Sequence, residues 1–275
     1  MGECQYCHKD AGWFKSKHSE CEETYKSGLC QIESILKNSF NQREDFFLHK
    51  NEIDKIAKES FINKVNLDTL YIESLDKAVK NFLNDGIIDK YEEKIIARFI
   101  QFTQLPQTTL NKTHALDKVV QSRIIEDILR GNPIKPAITV SGNFPFILSK
   151  NETLIWLYRN VILHEQKIKK EYIGRSNGLN IRIARGVYYR IGGFKGSPVE
   201  TSYMKTIGTG CVCLTDKNLY FSAPEKSIKI SYSHILSIES YSNGTLIQKD
   251  GRNNNCIFLE GVDSWFLHNV ISNLK

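Results

Sequence analysis

The chain has 275 residues, a length that suits two globular units and an appendage, and a net charge of +6. Its 41% hydrophobic and 25% charged residues are typical of a soluble protein with a core. No apolar run approaches the ~20 residues of a membrane span, and charged residues fall where a signal peptide needs an apolar segment. The sequence therefore predicts a cytoplasmic protein without an integral membrane segment, in which the seven cysteines are thiols or metal ligands rather than disulfides.

The N-terminal segment CQYCHKDAGWFKSKHSEC has the spacing of a metal site. Cys4 and Cys7 form a Cys-x2-Cys knuckle, and His18 and Cys21 supply a second ligand pair. Three thiolates and one imidazole match the tetrahedral ligand set of zinc, and four ligands leave no open position for Lewis-acid chemistry. The pattern predicts a treble-clef-like zinc finger with one structural Zn²⁺ per chain, and this ion would supply the folding free energy of so short a segment.

Two other residues compete with these ligands. His8 directly follows Cys7, so its approach to the same ion is sterically awkward. Cys30 falls within a predicted helix over residues 20–40, where we expect it to act as a small apolar residue. The acidic residues of the first turn support a helix start at Glu20, because the helix dipole favours anions there.

The segment between the two ligand pairs combines cations with aromatic rings. Such a loop suits nucleic acid, since cations contact phosphates and rings stack on bases. The residues concerned are His8, Lys9, Trp13, Phe14, Lys15 and Lys17.

The middle of the chain has the apolar spacing of helices. Three stripes support this prediction, and the clearest comprises Leu75, Ala78, Val79, Phe82 and Leu83. The pair Asp89 and Glu92 predicts a capping box at a helix start rather than a calcium loop, and a Gly-Asn-Pro sequence at 131–133 ends the last helix. We therefore expect a zinc finger with its following helix over residues 1–40 and a helical domain over 41–136.

Residues 137–275 change to a period of two, with turn signals about every ten residues. One amphipathic helix ends the chain, with Val262, Phe266, Val270 and Leu274 on one face. This pattern predicts an antiparallel β-barrel or sandwich closed by a helix, and an α+β fold class for the whole chain. Within this domain we expect Cys211 and Cys213 to belong to the core rather than to a metal site.

The cations of the β half are concentrated. Residues 1–136 contain 20 Lys and Arg against 21 Asp and Glu, whereas residues 137–275 contain 17 against 10. Such a field attracts phosphate-bearing partners or an acidic protein surface, and a solvated sheet face is the alternative interpretation. The predicted partner-binding cations are Lys167, Lys169, Lys170, Arg175, Arg182, Arg185, Arg190 and Lys195.

His234 and His268 have no acidic or thiol partner nearby in sequence, so we expect structural histidines with satisfied hydrogen bonds.

The β half resembles GRAM and pleckstrin-homology-like domains. The resemblance rests on GCVCLTDKNLYF at residues 210–221, KSIKI at 226–230 and SHILSIE at 233–239. It covers about a third of the chain and implies a binding module.

The order of the predicted domains along the chain resembles that of another family, the ring-activated zinc-finger ribonucleases of bacterial anti-phage defence. An N-terminal finger, a helical connector and a basic pleckstrin-like domain carry this resemblance, and the finger is its only sharp motif. It implies a latent endoribonuclease that cleaves RNA in the finger region once homo-oligomers assemble on a ring-shaped phage protein recognised by the C-terminal domain. RNA cleavage without a catalytic metal needs an acid, a base and cations for the transition state. His8 is then the acid or base, Glu3 or Glu20 its partner, and Lys9, Lys15 and Lys17 the cations, with Trp13 and Phe14 binding RNA.

A non-enzymatic adaptor is the alternative function. In this interpretation the finger binds nucleic acid passively, and the C-terminal domain binds phospholipid headgroups or an acidic protein surface through the basic segment from Lys167 to Lys195. No nucleophile elbow, phosphate-binding loop or HExxH sequence points to a third kind of chemistry.

Overall fold

The structure, a computed structural model, describes residues 2–134, 144–184, 187–250 and 256–275, with side chains described there except at Asp85 and at 168–201. These residues form two compact units, Met1–Arg130 and Gly131–Lys275. The first unit is helical apart from a two-stranded N-terminal ribbon, and the second is an antiparallel sheet with one helix. The predicted mixture of helix and antiparallel sheet is therefore confirmed, while the division into three domains at residues 40 and 136 stays a prediction.

The first unit begins with the ribbon of β1 and β2 and continues in helices. The predicted helix over residues 20–40 is present as α1, two residues longer at its C-terminal end. The elements are β1 (Gly2–Glu3), β2 (Asp10–Gly12), α1 (Ser19–Gln42), α2 (Lys50–Glu59), α3 (Lys64–Phe82), α4 (Lys90–Thr103), α5 (Gln107–Leu110) and α6 (Ala115–Leu129).

An aromatic cluster forms the centre of this unit. Phe99 of α4 is fully buried, and its ring lies 4.8 Å from that of Phe40 in α1 and 5.0 Å from that of Phe46. Tyr71 of α3 and Phe102 of α4 complete the cluster at 6.0 and 6.2 Å from Phe99. Rings at such separations add to the free energy of burial, so this cluster holds α1, α3 and α4 together.

The predicted capping box is confirmed at the start of α4. The Asp89 carboxylate accepts hydrogen bonds from the backbone N–H groups of Tyr91 and Glu92, and the Glu92 carboxylate accepts one from the Asp89 N–H at 2.9 Å. These bonds satisfy backbone donors that the first helical turn leaves unpaired. The acidic side chains of this stretch therefore have a structural task.

Seven strands form the sheet of the second unit in the order β6-β5-β4-β3-β9-β8-β7, and every neighbouring pair is antiparallel. The strands are β3 (Leu154–Ala184), β4 (Val187–Thr215), β5 (Asn218–Ser222), β6 (Ser227–Ser231), β7 (Ile235–Tyr241), β8 (Gly244–Lys249) and β9 (Cys256–Glu260). Two meanders are thus joined where the first strand of the unit pairs with its last. Among the described residues β6 and β7 are the edges of the sheet and do not pair with each other, so closure into the predicted barrel is not seen there.

The core of this unit lies between the sheet and the terminal helix α7 (Ser264–Leu274). Alternate residues of neighbouring strands are fully buried, including Leu163, Ile247 and Leu259. Phe266 of α7 is also fully buried, and its ring lies 5.5 Å from that of Trp156. The predicted amphipathic helix therefore covers one face of the sheet, and residues 144–148 cover part of the other face over Cys213 and Tyr220.

The hairpin of β3 and β4 is much longer than the rest of the sheet. β9 pairs with β3 only over residues 162–165, and β5 pairs with β4 only over 211–214. Beyond these pairings the two strands hydrogen-bond to each other alone as far as Ala184 and Val187. Apart from Arg185, which lies outside the described residues, the predicted cations of residues 167–195 belong to this two-stranded arm.

A hydrogen-bond network around Glu152 joins the start of β3 to the β4–β5 turn. The carboxylate accepts hydrogen bonds from the Asn218 amide and the Tyr220 hydroxyl, both at 2.8 Å, and from the Ser149 backbone N–H at 2.9 Å. The Thr215 hydroxyl is the fourth donor, at 2.5 Å. Burial raises the pKa of this carboxyl, but its four donors outweigh burial and lower the pKa to about 2. The threonine and tyrosine of the GRAM-like motif therefore have structural partners here.

Two predictions about single residues are wrong. Cys30 lies in α1 as expected, but it is exposed and does not serve as a small apolar core residue. The His268 Nδ1 atom is buried without a hydrogen-bond partner, so this histidine is not satisfied. The core interpretation of Cys213 is correct, since Cys213 is fully buried against Phe146 and Tyr220 and burial raises the pKa of its thiol to about 12.

Candidate metal centre and its surroundings

The side chains of the four predicted ligands cluster at the N-terminal end of α1. Cys4 and Cys7 lie in the turn between β1 and β2, His18 is the N-cap of α1, and Cys21 lies in the first turn of α1. Their ligand atoms all lie within 4.8 Å of one another. The His18 Nδ1 atom is 3.4 Å from the Cys7 sulfur and 3.6 Å from the Cys21 sulfur. Tetrahedral zinc places such a nitrogen and sulfur about 3.5 Å apart, so the spacing fits this ion.

The imidazole of His18 is held in the tautomer that a metal needs. Its Nε2 atom lies 3.0 Å from the Asp10 carbonyl oxygen, which can only accept a hydrogen bond. The proton therefore resides on Nε2, and the lone pair of Nδ1 points toward the three sulfurs. Metal-bound histidines usually have such an outer partner, which orients the ring and raises its basicity.

The surroundings of Cys4 favour a thiolate. Burial opposes ionisation, but hydrogen bonds from the backbone N–H groups of Cys7, His18 and Tyr6 outweigh it and lower the pKa of the Cys4 thiol to about 6. One of these N–H groups, that of His18, is 3.4 Å from the sulfur. Burial and the nearby Cys7 raise the pKa of the Cys21 thiol to about 11, because a second negative sulfur is unfavourable beside the first. A cation among the sulfurs removes this conflict.

Little else holds the finger together. Between residues 2 and 18 only Cys4 and Ala11 are buried. The backbone contributes a few hydrogen bonds, such as those from Cys4 N–H to the Lys9 carbonyl at 2.8 Å and from Gln5 N–H to the Ser16 carbonyl at 2.9 Å. So small an apolar core does not offset the conformational entropy of ordering the segment. The cluster could hold a metal ion, and its ligand set is consistent with zinc without identifying the ion.

His8 lies beside the cluster and outside it. Its backbone has a positive φ of 58°, and its side chain lies in solvent. The His8 Nδ1 atom is 3.1 Å from the Glu3 carboxylate, and both side chains are mostly exposed, at 76% and 67%. Sequence reasoning left Glu3 and Glu20 as possible partners, and the structure pairs His8 with Glu3.

The other predicted finger residues are all exposed. Phe14 is 100% exposed and Trp13 77% exposed, with their ring centroids 6.1 Å apart. Lys17 is not a free cation, since its ammonium lies 2.7 Å from the Glu22 carboxylate, and the bonds from Lys17 and Lys26 lower the pKa of Glu22 to about 2. Lys9, Lys15 and Glu20 lie on the same exposed segment without a resolved ion pair.

Only one of the predicted partner-binding cations has a described side chain. The Lys167 ammonium is 2.9 Å from the carboxylate of Glu165, which is almost fully buried. Lys169, Lys170, Arg175, Arg182, Arg190 and Lys195 lie in the β3–β4 arm, where the backbone alone is described, and Arg185 lies outside the described residues. The register places Arg175 opposite Lys195 and Lys169 opposite Thr201.

Two further lysines approach Glu165, and sequence reasoning missed both. The Lys226 ammonium contacts the Glu165 carboxylate, and burial together with the positive charges of Lys226 and Lys167 lowers the pKa of Lys249. Lys226 lies in the β5–β6 turn and Lys249 at the end of β8, far from Lys167 in sequence. No local spacing could have signalled this cluster, because pairing of distant strands creates it.

The described geometry defines a two-unit protein with a possible Cys₃His metal site at its N-terminus and a C-terminal antiparallel sheet. No family model, curated protein or solved structure matches the chain. None of the helices in the described part of the chain is both long enough and apolar enough to cross a membrane.

Proposed function

We propose that this protein is a latent ribonuclease of bacterial anti-phage defence, in which the metal-ordered finger contacts and cleaves RNA. The observation that carries the proposal is the exposed surface beside the metal cluster, where the His8–Glu3 pair lies close in sequence to Trp13, Phe14 and the lysines. Fully exposed aromatic side chains are costly in water and are typical of surfaces that stack on bases. The resemblance of the domain order to ring-activated zinc-finger ribonucleases supports the same conclusion.

The chemistry assigned to His8 is proton transfer during attack of the ribose 2′-hydroxyl on the adjacent phosphorus. The Glu3 carboxylate is hydrogen-bonded to Nδ1 of His8, so His8 exchanges a proton with RNA through its Nε2 atom. Lys9 and Lys15 contribute positive charge near the transition state, whereas the pairing of Lys17 with Glu22 offsets its charge. One imidazole cannot act as base and acid in the same step, so a second copy of the chain supplies the other proton donor or acceptor. This need for two copies accounts for activity that depends on assembly.

The C-terminal unit is assigned the recognition of the trigger, a ring-shaped phage protein. Support comes from the two meanders joined through the first and last strands and covered by one terminal helix, an arrangement expected of a pleckstrin-homology-like or GRAM-like domain. A ring presents many identical surfaces, so bound chains are concentrated and their fingers brought within reach of one another.

We expect the purified full-length chain to degrade RNA when a ring-shaped phage protein is added, and His8→Ala to reduce the rate by about 100-fold or more. The matched control is His114→Ala, because His114 is also an exposed histidine paired with a carboxylate, Asp117 at 2.8 Å, but lies outside the finger. Cleavage of a labelled RNA on a denaturing gel gives the rates. Normal cleavage by the His8→Ala protein would refute the role of His8. Absence of cleavage by any wild-type assembly would refute the proposed ribonuclease activity.

A second function, that of a non-enzymatic adaptor, is favoured by the lysines around Glu165. Lys167 and Lys226 pair with the Glu165 carboxylate and Lys249 lies within electrostatic range of all three, so the cluster has excess positive charge and suits a phosphate-bearing headgroup.

If the adaptor function is correct, we expect the protein to co-sediment with vesicles containing phosphatidylinositol phosphate, and less so as salt is raised. Lys226→Gln with Lys249→Gln should reduce binding by about tenfold, whereas Lys150→Gln, which changes an exposed lysine before the start of β3, should leave it nearly unchanged. Vesicle binding that changes neither with salt concentration nor with the Lys226 and Lys249 substitutions would exclude the adaptor function.

A further inference from the structure

The solvent face of the sheet contains a recess that lies opposite the core. Its volume is about 480 Å³, within the range of small-ligand sites. His164 of β3 lies at its centre, opposite Phe258 of β9, which in turn is opposite Leu246 of β8. The residues that line it are His164, Gln166, Met204, Tyr241, Leu246, Cys256, Phe258 and Glu260.

Aromatic rings form one wall of the recess. The Tyr241 and Phe258 rings are 5.8 Å apart and nearly perpendicular, at 81°, and the His164 ring lies 5.8 Å from that of Phe258. Tyr241 and the thioether of Met204 are about half exposed, at 49% and 43%. Perpendicular rings beside a thioether present aromatic faces and a polarisable sulfur to a ligand in the recess.

The charged groups of the recess are acidic. Glu260 lines it directly, and Glu239 accepts a hydrogen bond at 2.8 Å from the Tyr241 hydroxyl. No lysine or arginine is among the residues that line the recess in the described part of the chain. An acidic, aromatic recess attracts cations rather than anions.

The Glu260 carboxylate is held in place by His164. Its Oε2 atom lies 2.9 Å from His164 Nε2, and the Thr206 hydroxyl lies 3.0 Å from His164 Nδ1. Both contacts are met when Nε2–H donates to Glu260 and Nδ1 accepts from the threonine hydroxyl. His164 thereby orients the Glu260 carboxylate.

We propose that this recess binds an organic ammonium cation of the methylated type. Methyl groups on the nitrogen weaken its hydration and fit the apolar lining of Met204, Leu246 and Phe258, while the rings and Glu260 attract the charge. The proposal concerns a site remote in sequence from the finger and does not depend on ribonuclease activity.

A methionine of the recess provides the measurement. Met204 lines the recess, so protein labelled with ¹³C at the methionine methyl groups carries a reporter there. We expect choline chloride in the millimolar range to shift the Met204 methyl signal saturably. The uncharged isostere 3,3-dimethyl-1-butanol should not shift this signal. Equal shifts with both compounds, or none with choline, would overturn the proposal.

Two variants test the assigned groups. Glu260→Gln keeps an acceptor for His164 but removes the charge, and Phe258→Leu keeps apolar volume but removes the ring; each should weaken choline binding by about tenfold. Glu225→Gln, an exposed carboxylate outside the recess, should not change it. The Met204 signal of each ligand-free variant checks the fold, and unchanged affinity in both recess variants would refute the site.

Discussion

Replacement of Cys4 with alanine is expected to release the bound metal and unfold residues 2–18. Cys4 is the most deeply buried of the four ligands, and the apolar core of the segment consists of Cys4 and Ala11 alone. Metal binding to fingers of this kind is worth on the order of 10 kcal/mol, far more than the remaining contacts of the segment can provide. The rest of α1 should stay folded, because Ile32, Leu36 and Phe40 pack into the helical unit.

Cys30→Ala is the matched control, since Cys30 is an exposed cysteine of α1 outside the cluster. Elemental analysis of dialysed protein should find about one metal ion per chain in the wild type and in this control, and almost none in Cys4→Ala. Hydrogen exchange should show loss of protection at the β1–β2 ribbon in Cys4→Ala alone. A full metal content in Cys4→Ala, or a metal-free wild type, would disprove the site.

Replacement of Glu152 with glutamine should destabilise the C-terminal unit by about 2–4 kcal/mol at pH 7. The carboxylate accepts four hydrogen bonds, and an amide has only one acceptor oxygen and places an NH₂ group against donors. The buried groups that lose their acceptor contribute most of the cost. The affected region is the β4–β5 turn, where Asn218 and Thr215 lie.

The same carboxylate makes stability depend on pH. The pKa of Glu152 is about 2 in the folded protein and 4.5 in an unperturbed glutamate. Its contribution is therefore fully present above pH 4.5 and is lost as the pH falls from 4.5 toward 2, because the unfolded chain takes up the proton first. Glutamine does not titrate, so the stability gap between wild type and Glu152→Gln should narrow on acidification.

Hydrogen exchange of peptides covering residues 212–222 measures this stability difference locally, whereas a global probe averages over two compact units. Glu239→Gln, which changes an exposed glutamate of β7, is the control and should shift the exchange by less than about 0.5 kcal/mol. A gap that stays constant from pH 7 to pH 3 would show that Glu152 does not hold this turn in its ionised form.

The candidate metal-binding residues were predictable because their signal is local. Each Cys or His pair is separated by two residues, and both pairs lie within the first 21 residues. The capping box at Asp89 and Glu92 was predictable for the same reason, since all its atoms belong to one helical turn. Cys30 was misjudged because its position on the helix circumference depends on where the other helices pack.

The sequence by itself determined the elements that depend on neighbouring residues: the ligand knuckle, the amphipathic helices, and the turns between short antiparallel strands. Only the tertiary structure decided which carboxylate pairs with His8, which lysines surround Glu165, and that His164 meets Thr206 and Glu260. His164 and Glu260 are 96 residues apart, and strand pairing brings them together. Strand order and register are set by burial of one sheet face over the whole unit, so they leave no mark in the spacing of the residues they join.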